Sequence, residues 1–167
     1  SCIAKEPTEQ KINSRIKELL EKNKKLILAG CMPRLNKEKF IHEKNLFLLD
    51  TSHIKDIVHL IKDIKESNYN AEEYLKLRNE VKAFLPKISD EKFIGITQIS
   101  EGCLGECSYC IVKSAKGKLF SYPKEKIIKS VKRDLESGCR EIWITSQDCA
   151  SYGNEEQLIK IFREVKS

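Results

Sequence analysis

The most constraining feature of this chain is a run of three cysteines within eight residues. It reads Cys103-Leu104-Gly105-Glu106-Cys107-Ser108-Tyr109-Cys110, spaced C-x3-C-x2-C. The chain holds seven cysteines, and chance places such a triple in a chain of this kind only on the order of 10⁻² of the time. Gly102 and Gly105 free the backbone for a tight path, so the segment is expected as a loop whose thiolates converge on one centre. Structural zinc takes four ligands, usually as paired C-x2–4-C units. Here no Cys or His follows Cys110 closely, which leaves zinc, or simple buried thiols, as the minor alternative. A cubane [4Fe–4S] cluster ordinarily takes four thiolates; three would leave one iron with an open corner. Tyr109, just before the third thiol, is placed to lie against a bound aromatic ring. The odd cysteine count does not resemble a secreted disulfide scaffold, and points to a reducing, cytoplasmic compartment.

Around this loop the hydrophobic pattern alternates between strand and helix. Glu6-Pro7-Thr8 opens a helix whose apolar face is Ile12, Ile16, Leu19 and Leu20, ending near Asn23. Residues 25–30 read as a short buried strand with Cys31 just past its end, and 46–49 as a second strand. Thr51 or Ser52 is expected to cap a helix with the stripe Ile54, Ile57, Val58, Ile61 and Ile64. Residues 66–92 read as a connection, with a short helix over 71–84. Then come a strand over 93–100, the cysteine loop, a helix over 123–136 ended by Gly138, and a strand over 141–145. A last helix, capped by Asn154, carries Leu158, Ile159 and Phe162. This order implies an α/β fold with mostly parallel sheets, the second half starting as a parallel barrel or doubly wound sheet. The domains are expected at 1–65, 66–92 as linker, and 93–167.

Charge points in the same direction but less sharply. The net charge is +6, and between Ile111 and Arg133 there are eight basic residues and one acidic. Lys113, Lys116 and Lys118 lie nearest the cysteine loop, with Phe120 and Tyr122 interleaved. That is a pattern able to contact phosphates and stack on a splayed base. Lys126, Lys129 and Lys132 fit the wet face of a helix better. No apolar run approaches the roughly 20 residues that span a bilayer. Cys139 and Cys149 read as packing thiols, and His42, His53 and His59 as structural.

The residues from Ile99 to Cys110 resemble the radical S-adenosylmethionine (SAM) methylthiotransferases, as do Lys116-Gly117-Lys118-Leu119, Ser121-Tyr122-Pro123 and Ile144-Thr145-Ser146-Gln147-Asp148. Upstream, Cys2 with Lys5-Glu6-Pro7, and Ala29-Gly30-Cys31-Met32-Pro33, resemble that family's amino-terminal domain. The Ser-Tyr-Pro and Thr-Ser-Gln-Asp variants are most similar to the archaeal and eukaryotic branch, which modifies carbon 2 of N6-threonylcarbamoyladenosine beside the tRNA anticodon. The resemblance implies an incomplete flavodoxin-like domain followed by the first units of a radical-SAM partial TIM barrel. It implies two [4Fe–4S] clusters: one on Cys103, Cys107 and Cys110 that binds and cleaves SAM, and a second on Cys2, Cys31 and a cysteine upstream of Ser1. It also implies Tyr109 against the SAM adenine, Gln147 and Asp148 near the SAM amino end, and an anticodon loop against Lys113, Lys116, Lys118 and Tyr122.

The chain starts without an initiator Met and reads as a piece of a longer enzyme, expected to be inactive alone. Alternatives are the same chemistry on isopentenyladenosine tRNA or a ribosomal-protein aspartate. An alternative of another class is a metal-stabilised RNA-binding module without catalysis. The target tRNA, oligomeric state, sulfur donor and electron donor are not legible in the residues.

Overall fold

Two short parallel sheets, one in each half of the chain, organise the computed structural model, which describes residues 6–83, 85–87, 93–153 and 155–166. Cys2 and Asn154, both singled out above, lie outside the described residues. The chain divides into two units: Ser1–Glu80 with Ser108–Lys116, and Val81–Cys107 with Gly117–Ser167.

In the first unit, α1 (Glu6–Glu21) leads through Asn23, at φ 51°, into β1 (Leu26–Gly30). Two one-turn helices, α2 (Met32–Leu35) and α3 (Lys37–Phe40), return the chain to β2 (Leu46–Asp50), which pairs in parallel with β1 from Leu26↔Leu46 to Gly30↔Asp50. Because side chains alternate along a strand, this sheet needs cover on both faces. Leu28, Leu46 and Leu48 pack with Ile16, Met32, Phe40 and Leu75. Leu49, Ile27 and Phe47 pack with Leu60, Ile64 and Tyr74. Both helical covers come from the amphipathic pattern; of the second stripe Ile54, Ile57 and Ile64 pack inward as expected, while Val58 and Ile61 do not. In α4 (Ile57–Glu66) the buried residues are Leu60 and Ile64, while Val58 is 64 % exposed. A 3-10 segment, Thr51–Asp56, precedes α4, and Asp50 rather than Thr51 or Ser52 caps it by accepting the Ser52 amide.

The stretch expected to be linker is partly folded into this unit. After Ser67, at φ 62°, α5 (Ala71–Leu75) is capped by the Asn70 side chain and delivers Tyr74 and Leu75 to the core. It ends at Leu75 instead of running toward residue 84. The Tyr74 hydroxyl donates to Asp63, and the Tyr69 hydroxyl accepts the Leu48 amide at 2.7 Å.

In the second unit, β3 (Ile94–Gln98) pairs in parallel with β6 (Glu141–Thr145). Between them run β4 (Ser100–Glu101), a long excursion containing α6 (Ile111–Lys116), β5 (Phe120–Ser121) and α7 (Lys124–Glu136); α8 (Glu155–Lys166) follows β6. A parallel pair needs a crossover, which α7 supplies by packing on β3. The core gathers Ile99, Tyr122, Ile127, Tyr152 and Ile161. As in α4, the inward face of α8 centres on Ile161, and Ile159 and Phe162 are about half exposed. No helix among the described residues is long and apolar enough to cross a membrane.

Candidate metal centre

The cysteine loop leaves the second unit through a narrow neck. Ser100–Glu101 and Phe120–Ser121 pair antiparallel, so the chain departs and returns side by side. Gly102 comes next, at φ +74°, and a Cβ there would lie 2.2 Å from the Lys118 carbonyl oxygen. Only glycine fits so close to another backbone in that conformation. The Gly102 amide donates to Gln147 Oε1 at 3.1 Å. Below the neck, Lys82 Nζ donates to both carboxylate oxygens of Glu101, at 2.6 and 2.7 Å, with both side chains nearly buried.

Past the neck the path is irregular, as expected. Gly105 lies between two thiols: a methyl at its α-carbon would stand 3.3 Å from Cys103 Sγ and 4.0 Å from Cys107 Sγ. Its amide donates to Cys103 Sγ at 3.2 Å. Cys103 Sγ also faces Asp148 Oδ2 at 3.9 Å. Asp148 is itself held by the Ser151 hydroxyl at 2.5 Å and the Ser151 amide at 3.3 Å. The Ser151 hydroxyl bond keeps its carboxyl below the usual carboxylate range, against a smaller upward push from desolvation. Gln147 and Asp148, which the family resemblance sets near a bound SAM, lie beside the first residues of the cysteine loop. Their grip on Gly102 and Cys103 was not legible, nor was the Lys82–Glu101 pair, because a contact between residues far apart in sequence leaves no local pattern.

Cys110 belongs to the first unit, at the start of α6, and is half-buried. So is Cys31, which leaves β1 and forms the N-cap of α2. Both cysteines described in this unit therefore stand at the start of a short helix. Among the described residues no three Cys, His, Asp or Glu side chains form a group able to hold a metal ion. The donor chemistry nonetheless suits an iron–sulfur cluster. Cys31, Cys103, Cys107 and Cys110 are all free thiols, and the bare face of Gly105 leaves room beside two of them.

The remaining expected positions separate by exposure. Tyr109 is 90 % exposed, open to a planar ligand. Lys118 is exposed, Lys113 half-buried, and Lys116 half-buried with Nζ 3.4 Å from the Thr51 hydroxyl. Tyr122 is 1 % exposed and meets Phe120 edge-on at 5.7 Å, so it is a packing residue and offers no face to a base. Its apolar body belongs to the core of the second unit, a role its place among lysines did not announce. His53 is structural, bonded to Asp56 and to the Lys76 carbonyl. Cys149 accepts from the Ser146 hydroxyl at 3.3 Å.

No protein-family model matches the chain. Curated relatives match it along nearly its full length. A probable threonylcarbamoyladenosine tRNA methylthiotransferase of Pyrococcus horikoshii is 37 % identical over 172 residues, covering 99 % of this chain and 39 % of the relative. One of Methanothermobacter thermautotrophicus is 35 % identical, covering 99 % and 40 %. The threonylcarbamoyladenosine tRNA methylthiotransferase of Danio rerio is 32 % identical, covering 93 % and 29 %. The chain thus spans roughly a third of the length of the relatives it matches.

Proposed function

We propose, on the premise that the chain is homologous over nearly its whole length to the threonylcarbamoyladenosine tRNA methylthiotransferases, that it is the cluster-bearing part of such an enzyme. Its substrate would be tRNA carrying N6-threonylcarbamoyladenosine beside the anticodon, methylthiolated at carbon 2 in the cytoplasm. In this reading the first unit corresponds to a flavodoxin-like domain and the second to the opening of a radical-SAM partial barrel. The observation that carries it is the C-x3-C-x2-C loop, set on a glycine neck and gripped by Gln147 and Asp148.

Cys103, Cys107 and Cys110 would hold a [4Fe–4S] cluster; Cys31, with Cys2, would supply ligands to a second. When bound, the first cluster and SAM supply the radical chemistry that opens an inert C–H bond. The chain's own side chains do the placing. Gly102 lets the neck close against the Lys118 backbone, and Gly105 keeps the chain bare between Cys103 and Cys107. Gln147 holds the neck, and Asp148 offers a carboxylate beside Cys103 for the cationic end of SAM. Tyr109 presents a bare ring to the adenine. Lys113, Lys116 and Lys118 lie along the next stretch of chain, suited to anticodon-loop phosphates, each neutralised phosphate steepening the log–log salt dependence by about 0.7.

Anaerobic incubation with iron and sulfide tests the reading. The chain should turn brown, and SAM should shift the electron paramagnetic resonance (EPR) signal of the reduced cluster. A colourless protein holding one stoichiometric zinc would replace this reading with that of a metal-stabilised RNA binder.

A further inference from the structure

The first unit holds a polar contact that the cysteine pattern does not explain. Arg34 stands in α2, three residues after Cys31. Its Nε donates to Asp50 Oδ2 at 3.1 Å. Its Nη2 donates to the carbonyls of Ser114 and Ala115, both at 2.6 Å. Those carbonyls belong to the last turn of α6, where helical backbone has no acceptor-satisfying partner of its own and carries the negative end of the helix dipole. Asp50 has no exposed side-chain surface. Its other oxygen accepts the Ser52 amide at 2.9 Å and the Ser52 hydroxyl at 2.7 Å. The guanidinium is thereby held from one side by a carboxylate locked at the end of β2, and grips a helix end with the other. A lysine has no planar fork able to reach all these acceptors at once.

We infer that Arg34, held by Asp50, is a positioning residue: one guanidinium ties the helix that begins after Cys110 to the helix that begins at Cys31, and so sets the placement of one thiol relative to the other. α2 and α6 pack on each other, and Lys116 adds a second tie to Thr51. The significance for sulfur transfer rests on the reading that these two cysteines each ligate a cluster. The clamp itself does not.

The test uses nitroxide labels on Cys31 and Cys110, the other five cysteines replaced by serine, in the metal-free chain. EPR dipolar broadening should report one narrow distance distribution with Arg34 present. In Arg34→Ala it should widen at least about twofold, and amides of residues 111–116 should exchange at least about tenfold faster, while β1 and β2 amides exchange as before. Arg34→Lys should recover part of the narrowing. An unchanged distribution in Arg34→Ala overturns the inference, as does widening that appears only when β1 and β2 exchange also accelerates. Iron uptake by the unlabelled chain is measured in parallel. Failure there would remove the cluster reading and leave the clamp result standing.

Discussion

Cys31 and Cys103 both follow a strand, yet the chain holds them by different means. Cys31 passes directly from β1 into α2, where Met32 and Pro33 behind it are buried and Arg34 is bonded to the buried Asp50, so its backbone is set by packing and one buried ion pair. Cys103 leaves through a two-residue ladder and a left-handed glycine, and its surroundings are polar: the Gln147 amide oxygen, the Asp148 carboxylate and the Gly105 amide. A thiol at a strand-to-helix junction takes its position from the core. A thiol on an excursion needs bonds along the loop's neck. The two regions should therefore fail differently when perturbed.

The largest effect is expected at Asp50. Replacing it with Ala takes the carboxylate from the Arg34 guanidinium and removes the cap on the Ser52 amide, and should cost the first unit about 3 kcal/mol in denaturant unfolding, the low end for a broken buried pair because Arg34 keeps some solvent contact. Equal stability of Asp50→Ala and the parent would mean that packing alone holds the Cys31 region. Next, Leu60→Ala should destabilise by about 2–4 kcal/mol, while Val58→Ala should stay within about 0.5 kcal/mol. The reverse ranking would restore the stripe read from periodicity. At the other region, Gly102→Ala forces a side chain into a left-handed backbone against Lys118, at about 1–3 kcal/mol. Iron uptake should fall more steeply than stability, since the neck aims the loop without anchoring the core.

The smallest effect concerns alkali. Burial, and then the hydrogen bond to Asp63, push the Tyr74 phenol well above its ordinary value of 10. A raised value in the fold means the neutral phenol is favoured there, so the stabilisation is complete below pH 10 and is lost as pH rises beyond it. Tyr74→Phe should flatten the alkaline limb of an unfolding-versus-pH curve, a change confined to the first unit. An identical limb in the variant would place the alkaline loss elsewhere.

Element type was largely legible in the residues, because hydrophobic period distinguishes strand from helix in segments such as 26–30 and 124–136. The phases of α4 and α8 were legible only in part: Ile54, Ile57, Ile64 and Leu158 pack inward as expected, whereas Leu60 and Ile161 take core places that the pattern gave to Val58, Ile61, Ile159 and Phe162. At the site, spacing singled out the cysteines of the loop, and the family resemblance pointed to Gln147 and Asp148. The pairing of Arg34 with Asp50 and of Lys82 with Glu101 was not legible, because each residue reads alone as an ordinary charge and only the fold brings them together. Tyr122 shows the converse, an aromatic among lysines that the core claims.

The central claim, that three thiols of one loop share an iron–sulfur cluster, is tested most directly by counting iron after anaerobic reconstitution and recording the EPR spectrum of the reduced protein. The parent chain should bind about four irons through Cys103, Cys107 and Cys110, with a cubane signal that SAM alters. Replacing those three cysteines by Ala should abolish it, and replacing Cys139 and Cys149 should not. A SAM-responsive cubane signal that survives loss of all three would contradict the account.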